Sequence, residues 1–205
     1  RQVAVADHGT LGPPGGAGRV HDQAGVLERH GLVPLLESGG GQQVLVGERL
    51  ATAWLHKRAT CGFRDWDSST SFQDMLLALS HLVDLVKSPQ VYDLAAVVMD
   101  KLFFTMALNS YKGTFGSTHG RTYSRLTLNP RRENTSALAY VHWGLGEYRE
   151  SLSASALMMC TCSYRVPPVL QSIALDRPPE MENLERHSLN VEDALDHGVD
   201  PASLD

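Results

Sequence analysis

Met75, Leu79, Leu82 and Val86 recur at intervals of four, three and four, and no other pattern in the chain constrains its fold as strongly. The spacing places them on one face of an α-helix, because about 3.6 residues complete a turn. Ser71 with Asp74 three residues later resembles a capping arrangement at the start of that helix. Ser88-Pro89 closes it and opens the next, proline being suited to a first turn whose N–H has no intrahelical partner. The second helix is expected to reach about Asn109, with Val91, Ala95, Val98, Leu102, Thr105 and Met106 along its buried stripe. Two helices joined by so short a connection form an antiparallel hairpin.

The rest of the chain is read in the same terms. Helices are expected from His21 to His30, stopped by Gly31, from about Gln42 to Arg58 with Val46, Leu50 and Trp54 on one stripe, from about Asn134 to Glu147, and from Ser151 to Ser163. A short amphipathic piece, Val169 to Leu175, follows the break at Val166-Pro167-Pro168. No alternating strand pattern stands out, so the expected fold class is all-α, built from consecutive antiparallel helical hairpins. Three segments result: an irregular Gly/Pro-rich stretch at 1–41, a helical domain at 42–175, and a polar tail or linker at 176–205. The glycines and prolines from Gly12 to Gly18 have the wrong spacing for a dinucleotide fingerprint.

Composition removes several classes of function. A net charge of −5 gives no basic surface for nucleic acid. No run of about eighteen apolar residues occurs; the nearest, Leu94 to Leu108, is interrupted by Asp100 and Lys101 and reads as a core helix rather than a membrane span. The N-terminus, which begins at Arg1, lacks the basic, apolar, small-residue progression of a signal peptide. Three cysteines, Cys61, Cys160 and Cys162, make a poor disulfide framework, which favours a reducing, cytoplasmic compartment. H-E-x-x-H, C-x-x-C, the P-loop and G-x-S-x-G patterns are missing from the sequence, so neither a metal nor a cofactor is expected.

The chemistry-bearing residues gather in two loops. Gly62 to Thr70 enters the Met75 helix and carries Trp66 and Asp67; Tyr111 to Tyr123 leaves the following helix and gathers Tyr111, His119, Arg121 and Tyr123 around three glycines. In an antiparallel hairpin these loops lie at the same end and can enclose one cleft. An aromatic among polar neighbours suits a sugar. Trp66, Asp67, Arg121 and Asn109 are the candidates for substrate contact, and His119, Tyr123 and Tyr111 those for proton transfer. A tyrosine acts as a base only where a nearby cation such as Arg121 favours its ionised form. Packing remains open as the alternative: Trp66 as a lid, Asp67 as a helix cap, His119 as a buried histidine bonded to a helix end.

The stretches Gly62-Phe63-Arg64-Asp65-Trp66-Asp67-Ser68-Ser69-Thr70 and Gly116-Ser117-Thr118-His119-Gly120-Arg121-Thr122-Tyr123, with the exit Tyr164-Arg165-Val166-Pro167-Pro168, resemble those of uncharacterised bacterial α/α-toroid proteins related in architecture to the heparinase, alginate and chondroitin lyases. The resemblance spans residues 60–187. It implies a partial α/α-toroid, a following β-sandwich domain that this sequence lacks, and β-elimination on an acidic, uronic-acid-containing polysaccharide or oligosaccharide. Tyr123 would then be base or acid, His119 its partner, and Arg121 the group that binds the uronate carboxylate and stabilises its developing charge. Where the family commonly has asparagine after the tryptophan, this chain has Asp67. A non-catalytic helical domain binding a sugar or a protein is the alternative, as is a truncated inactive copy. A glycoside hydrolase using Asp65 or Asp67 would need a second carboxylate roughly 5 to 9.5 Å away.

Overall fold

The computed structural model describes residues 39–146, 154–188, 190 and 192–198; the expected helix at 21–30 and the Gly12–Gly18 loop lie outside them. The chain divides into two compact units, residues 1–47 and 48–205. In the first, the described residues are the opening turns of helix α1, Gly40–Cys61. In the second they are the remainder of α1, six further helices and one small hairpin: α2 (Ser69–Leu85), α3 (Pro89–Leu108), β1 (Ser110–Tyr111), β2 (Thr114–Phe115), α4 (Ser124–Leu128), α5 (Asn134–Trp143), α6 (Ala154–Thr161) and α7 (Pro168–Leu175). The described residues are thus predominantly helical, as expected. Among them no helix is long and apolar enough to cross a membrane.

Helices α2 and α3 form the hairpin read from the spacing, with Pro89 in the first turn of α3. The α3 stripe is buried throughout: Val91, Ala95, Val98, Leu102, Thr105 and Met106. The phase of α2 differs from expectation. Phe72, Leu76, Leu79 and Val83 are buried, while Met75, Leu82 and Val86 are half-buried flanks. The reason is that α2 packs against α3, α5 and α6, so its apolar arc is wide and turned towards Phe72. Its cap differs too. Ser68 is the N-cap and accepts from the Ser71 amide at 3.4 Å, while the Ser71 hydroxyl donates to Asp65 at 2.9 Å.

The strands are a correction to a purely helical reading. Ser110 pairs with Phe115 and Tyr111 with Thr114 across Lys112 and Gly113, whose φ values are 53° and 77°. Positive φ at both central residues is the geometry of a two-residue hairpin turn matched to strand twist. Strands of two residues are too short to show alternation. Helix α5 stops at Trp143, before the expected Glu147, because Gly144 adopts φ 67° and its amide turns back to Ala139 and Tyr140.

Residues 176–188, expected as part of a polar tail or linker, have no regular helix or strand but fold back on the helical body. The Ser188 amide donates to the Cys61 carbonyl at 2.6 Å, and the Phe63 amide donates to His187 Nδ1 at 3.2 Å. The last turn of α1 is closed from another direction: Lys101 Nζ donates to the carbonyls of Arg58 and Ala59 at 3.2 and 2.9 Å.

Candidate functional site

The two loops meet, as the hairpin geometry requires. The Gly120 amide donates to the Trp66 carbonyl at 2.8 Å. A Cβ at Gly120 would lie 2.9 Å from Trp66 Cε3, so only glycine lets the loop pack this closely on the indole. Between the loops opens a cleft of about 430 Å³ lined by Trp66, Asp67, Asn109, Ser117, Glu185 and His187, among others. Trp66 is 44% exposed at the rim.

Asp67 sits at φ 51°, a left-handed conformation that asparagine and aspartate tolerate better than most residues. It is 3% exposed. One carboxylate oxygen accepts from the Ser117 hydroxyl and, at 3.4 Å, from the Asn109 amide; the other is buried without a hydrogen-bond partner. Burial pushes this carboxyl above its ordinary range, the Glu185 charge adds to the effect, and the Ser117 bond with the nearby histidines only partly offsets them.

Asn109, immediately after α3, is the hub of the cleft. Its Nδ2 donates to Glu185 at 2.6 Å and its Oδ1 accepts from Asn183 at 2.9 Å. Glu185 also accepts from Asn183 at 2.8 Å and lies 2.9 Å from His187 Nε2. Burial raises the Glu185 carboxyl, but the hydrogen bonds from His187, Asn109 and Asn183 outweigh it and hold the group below the usual glutamate value. Two carboxyls in one cleft are therefore pushed apart, Asp67 upwards and Glu185 downwards.

Asp67, Glu185 and His187 place one potential metal-ligand atom each within 4.8 Å of one another. The Phe63 amide on Nδ1 decides against a histidine ligand. A neutral imidazole that accepts at Nδ1 carries its proton on Nε2, so Nε2 donates to Glu185 and has no lone pair for a cation.

The proton-transfer candidates are dispersed. His119 stacks on Phe115 at 5.4 Å between ring centroids, and its Nε2 lies 3.0 Å from the carboxylate of Glu133, which is 1% exposed. That hydrogen bond raises the His119 pKa, against the opposing effect of burial. His119 therefore anchors the loop through Glu133, close to the reading of a buried histidine bonded to a helix end, since Glu133 is the N-cap of α5. Arg121 and Tyr123 are exposed; Arg121 Nη2 donates to the Tyr123 hydroxyl at 2.8 Å, and Arg121 Nη1 lies 3.9 Å from Asp65. Neither lines the Trp66–Asp67 cleft. Tyr111 is 63% exposed and borders two other depressions.

Of the substrate-contact candidates, Trp66, Asp67 and Asn109 thus share the cleft and Arg121 does not. Sequence reasoning missed Asn183, Glu185 and His187, which come from a polar, proline-punctuated segment with no periodicity, and Glu133, whose only signal is its place before Asn134 at a helix start. Comparison with known proteins adds no kinship: no family model, no curated protein and no solved structure matches this chain.

Proposed function

We propose that the cleft belongs to a carbohydrate-active enzyme that cleaves a glycosidic bond with Asp67 as proton donor and Glu185 as its anionic partner. The observation that carries this reading is the divergence of the two carboxyls, since opposed environments assign an acid and a base. Glu185, held ionised by three donors, attacks the anomeric carbon as the bond to the leaving sugar oxygen breaks. Asp67 delivers its proton to that oxygen; water then attacks the glycosyl-enzyme ester and returns a proton to Asp67. Trp66 supports the sugar face. Single oxygens of the two carboxyls approach within 4.8 Å, which is nearer the separation of about 5–5.5 Å between the carboxyls of retaining enzymes than the about 6.5–9.5 Å of inverting ones, so the expected outcome is retention. The test is a reducing-sugar assay on a panel of neutral and acidic glycans, with the product anomer read by NMR. Inverted product, or turnover untouched by Glu185→Gln, would sink the assignment.

The second reading is elimination on a uronate-containing glycan, together with the partial α/α-toroid that the sequence resemblance implies. The observation favouring it is the 2.8 Å hydrogen bond from Arg121 to the Tyr123 hydroxyl, which sets a carboxylate-binding residue type beside a proton-transferring one. It is distinguished by a rise in absorbance near 235 nm, from the unsaturated product, that disappears in Tyr123→Phe. Arg121 and Tyr123 lie outside the Trp66–Asp67 cleft, which places elimination second.

A further inference from the structure

A pocket of about 660 Å³ opens between the β1–β2 turn, the residues that close α5, and Arg177 beyond α7. Among the described residues it shares no lining residue with the Trp66–Asp67 cleft, and the charges of the two linings are of opposite sign. Lys112, Arg131 and Arg177 line it, and among the described residues no aspartate or glutamate does. Ser136, in the first turn of α5 and 4% exposed, lines it as well, and its hydroxyl has no hydrogen-bond partner. Buried hydroxyls are ordinarily bonded, so a donor left without an acceptor inside a cationic pocket points to an acceptor that arrives with a ligand. Part of the pocket wall is the backbone of the β1–β2 turn and of the stretch after α5. A Cβ at Gly113 would lie 2.5 Å from the Gly146 nitrogen, so glycine alone allows the turn to close on Leu145 and Gly146.

We propose that this pocket binds an oxyanion, the carboxylate, sulfate or phosphate group of a ligand, with Lys112 and Arg177 supplying charge and Ser136 a hydrogen bond. A third depression, of about 460 Å³, shares Tyr111, Gly116 and Arg177 with this pocket and Asn109 and Ser117 with the aromatic cleft. An anionic group seated here can therefore belong to a chain that runs on towards Trp66. That extension rests on the glycan reading; the oxyanion site does not.

The experiment is calorimetric titration of the full chain with inorganic phosphate, inorganic sulfate and trigalacturonate, read without any turnover and so independent of whether the cleft cleaves a glycan. Binding of at least one probe in the millimolar range or tighter is expected, weakened about tenfold or more in Lys112→Ala/Arg177→Ala and weakened in Ser136→Ala. Circular dichroism of each variant controls for folding. Binding of the free anions alone assigns a small inorganic ligand, whereas binding of trigalacturonate alone assigns an anion carried by a sugar; either supports the site. No heat from any probe up to ~10 mM, or affinities that the double variant leaves unchanged, would overturn it.

Discussion

Asn109 and Glu185 stand 76 positions apart in the chain and meet through a 2.6 Å hydrogen bond that joins the end of α3 to the C-terminal segment. The same asparagine accepts from Asn183 and reaches Asp67, so one side chain ties together the three elements that enclose the cleft. Its removal tests whether the C-terminal segment is held by the cleft.

Asn109→Ala leaves Glu185 and Asn183 each short of a partner, at an expected cost of about 0.5–1.5 kcal/mol per hydrogen bond. Urea unfolding measures the loss. Amide exchange at residues 183–188 should accelerate more than exchange in α2 or α3; equal protection in variant and parent would mean that other contacts hold the segment.

Asp67→Asn is expected to stabilise the fold at neutral pH and to slow glycan cleavage. The folded-state pKa of Asp67 lies above its unfolded value, so the fold favours the protonated form. Its contribution to stability is therefore greatest at low pH and falls as pH rises from the unfolded value to the folded one. Asparagine removes that penalty, so melting temperatures of the two proteins should converge in acid and separate above it. Loss of the proton donor should lower turnover by about 10² to 10⁴. A variant less stable at pH 7 and fully active would remove Asp67 from the proposed role.

How much of this was legible in the sequence depended on the range of each interaction. The α3 stripe follows from local periodicity and is buried residue for residue, whereas α2, packed on three helices, turned its arc away from the Met75 row. The meeting of the Trp66 and Gly120 loops followed from hairpin geometry, and the hydrogen bond between them is its outcome. The roles of His119, Tyr123 and Arg121 did not follow. Residue type names what a side chain can do, while Glu133 decides what His119 does here. The Asn183-x-Glu185-x-His187 wall left no trace, because three polar residues among prolines read as a solvated linker until their distant partners are in place.

Two histidines should give stability opposite slopes with pH. His119 has a raised pKa in the fold, so its contribution is fully present below the unfolded value near 6.5 and is lost as pH rises through the folded one. Burial pushes His142 down to about 4, so stability falls by on the order of 3 kcal/mol as pH drops from about 6.5 to that value. NMR titration of the two imidazoles measures both shifts directly. His119→Gln should flatten the alkaline limb and His142→Met the acid limb; a variant that leaves its limb unchanged refutes that assignment.

Gly120→Ala should push the Ser117–Gly120 loop off the indole, since the new methyl would sit 2.9 Å from Trp66 Cε3 and 3.0 Å from the Trp66 nitrogen. Overpacking of this kind costs typically about 1–3 kcal/mol. Intrinsic fluorescence should report a changed Trp66 environment, and an unchanged spectrum with parental stability would show that the loop yields without strain.

The far wall of the aromatic cleft has a consequence in time. Trp66, Asp67 and Asn109 leave the ribosome before Glu185, and at roughly 5–20 residues per second the 76 positions between Asn109 and Glu185 take about 4–15 s to make. Through that interval the nascent cleft is open on one side, with Asp67 and Asn109 waiting for the partners that complete their hydrogen bonds. The helical hairpin is made first, but the site matures only once the polar stretch around Glu185 has followed it, and whatever the cleft does is withheld from the protein until then.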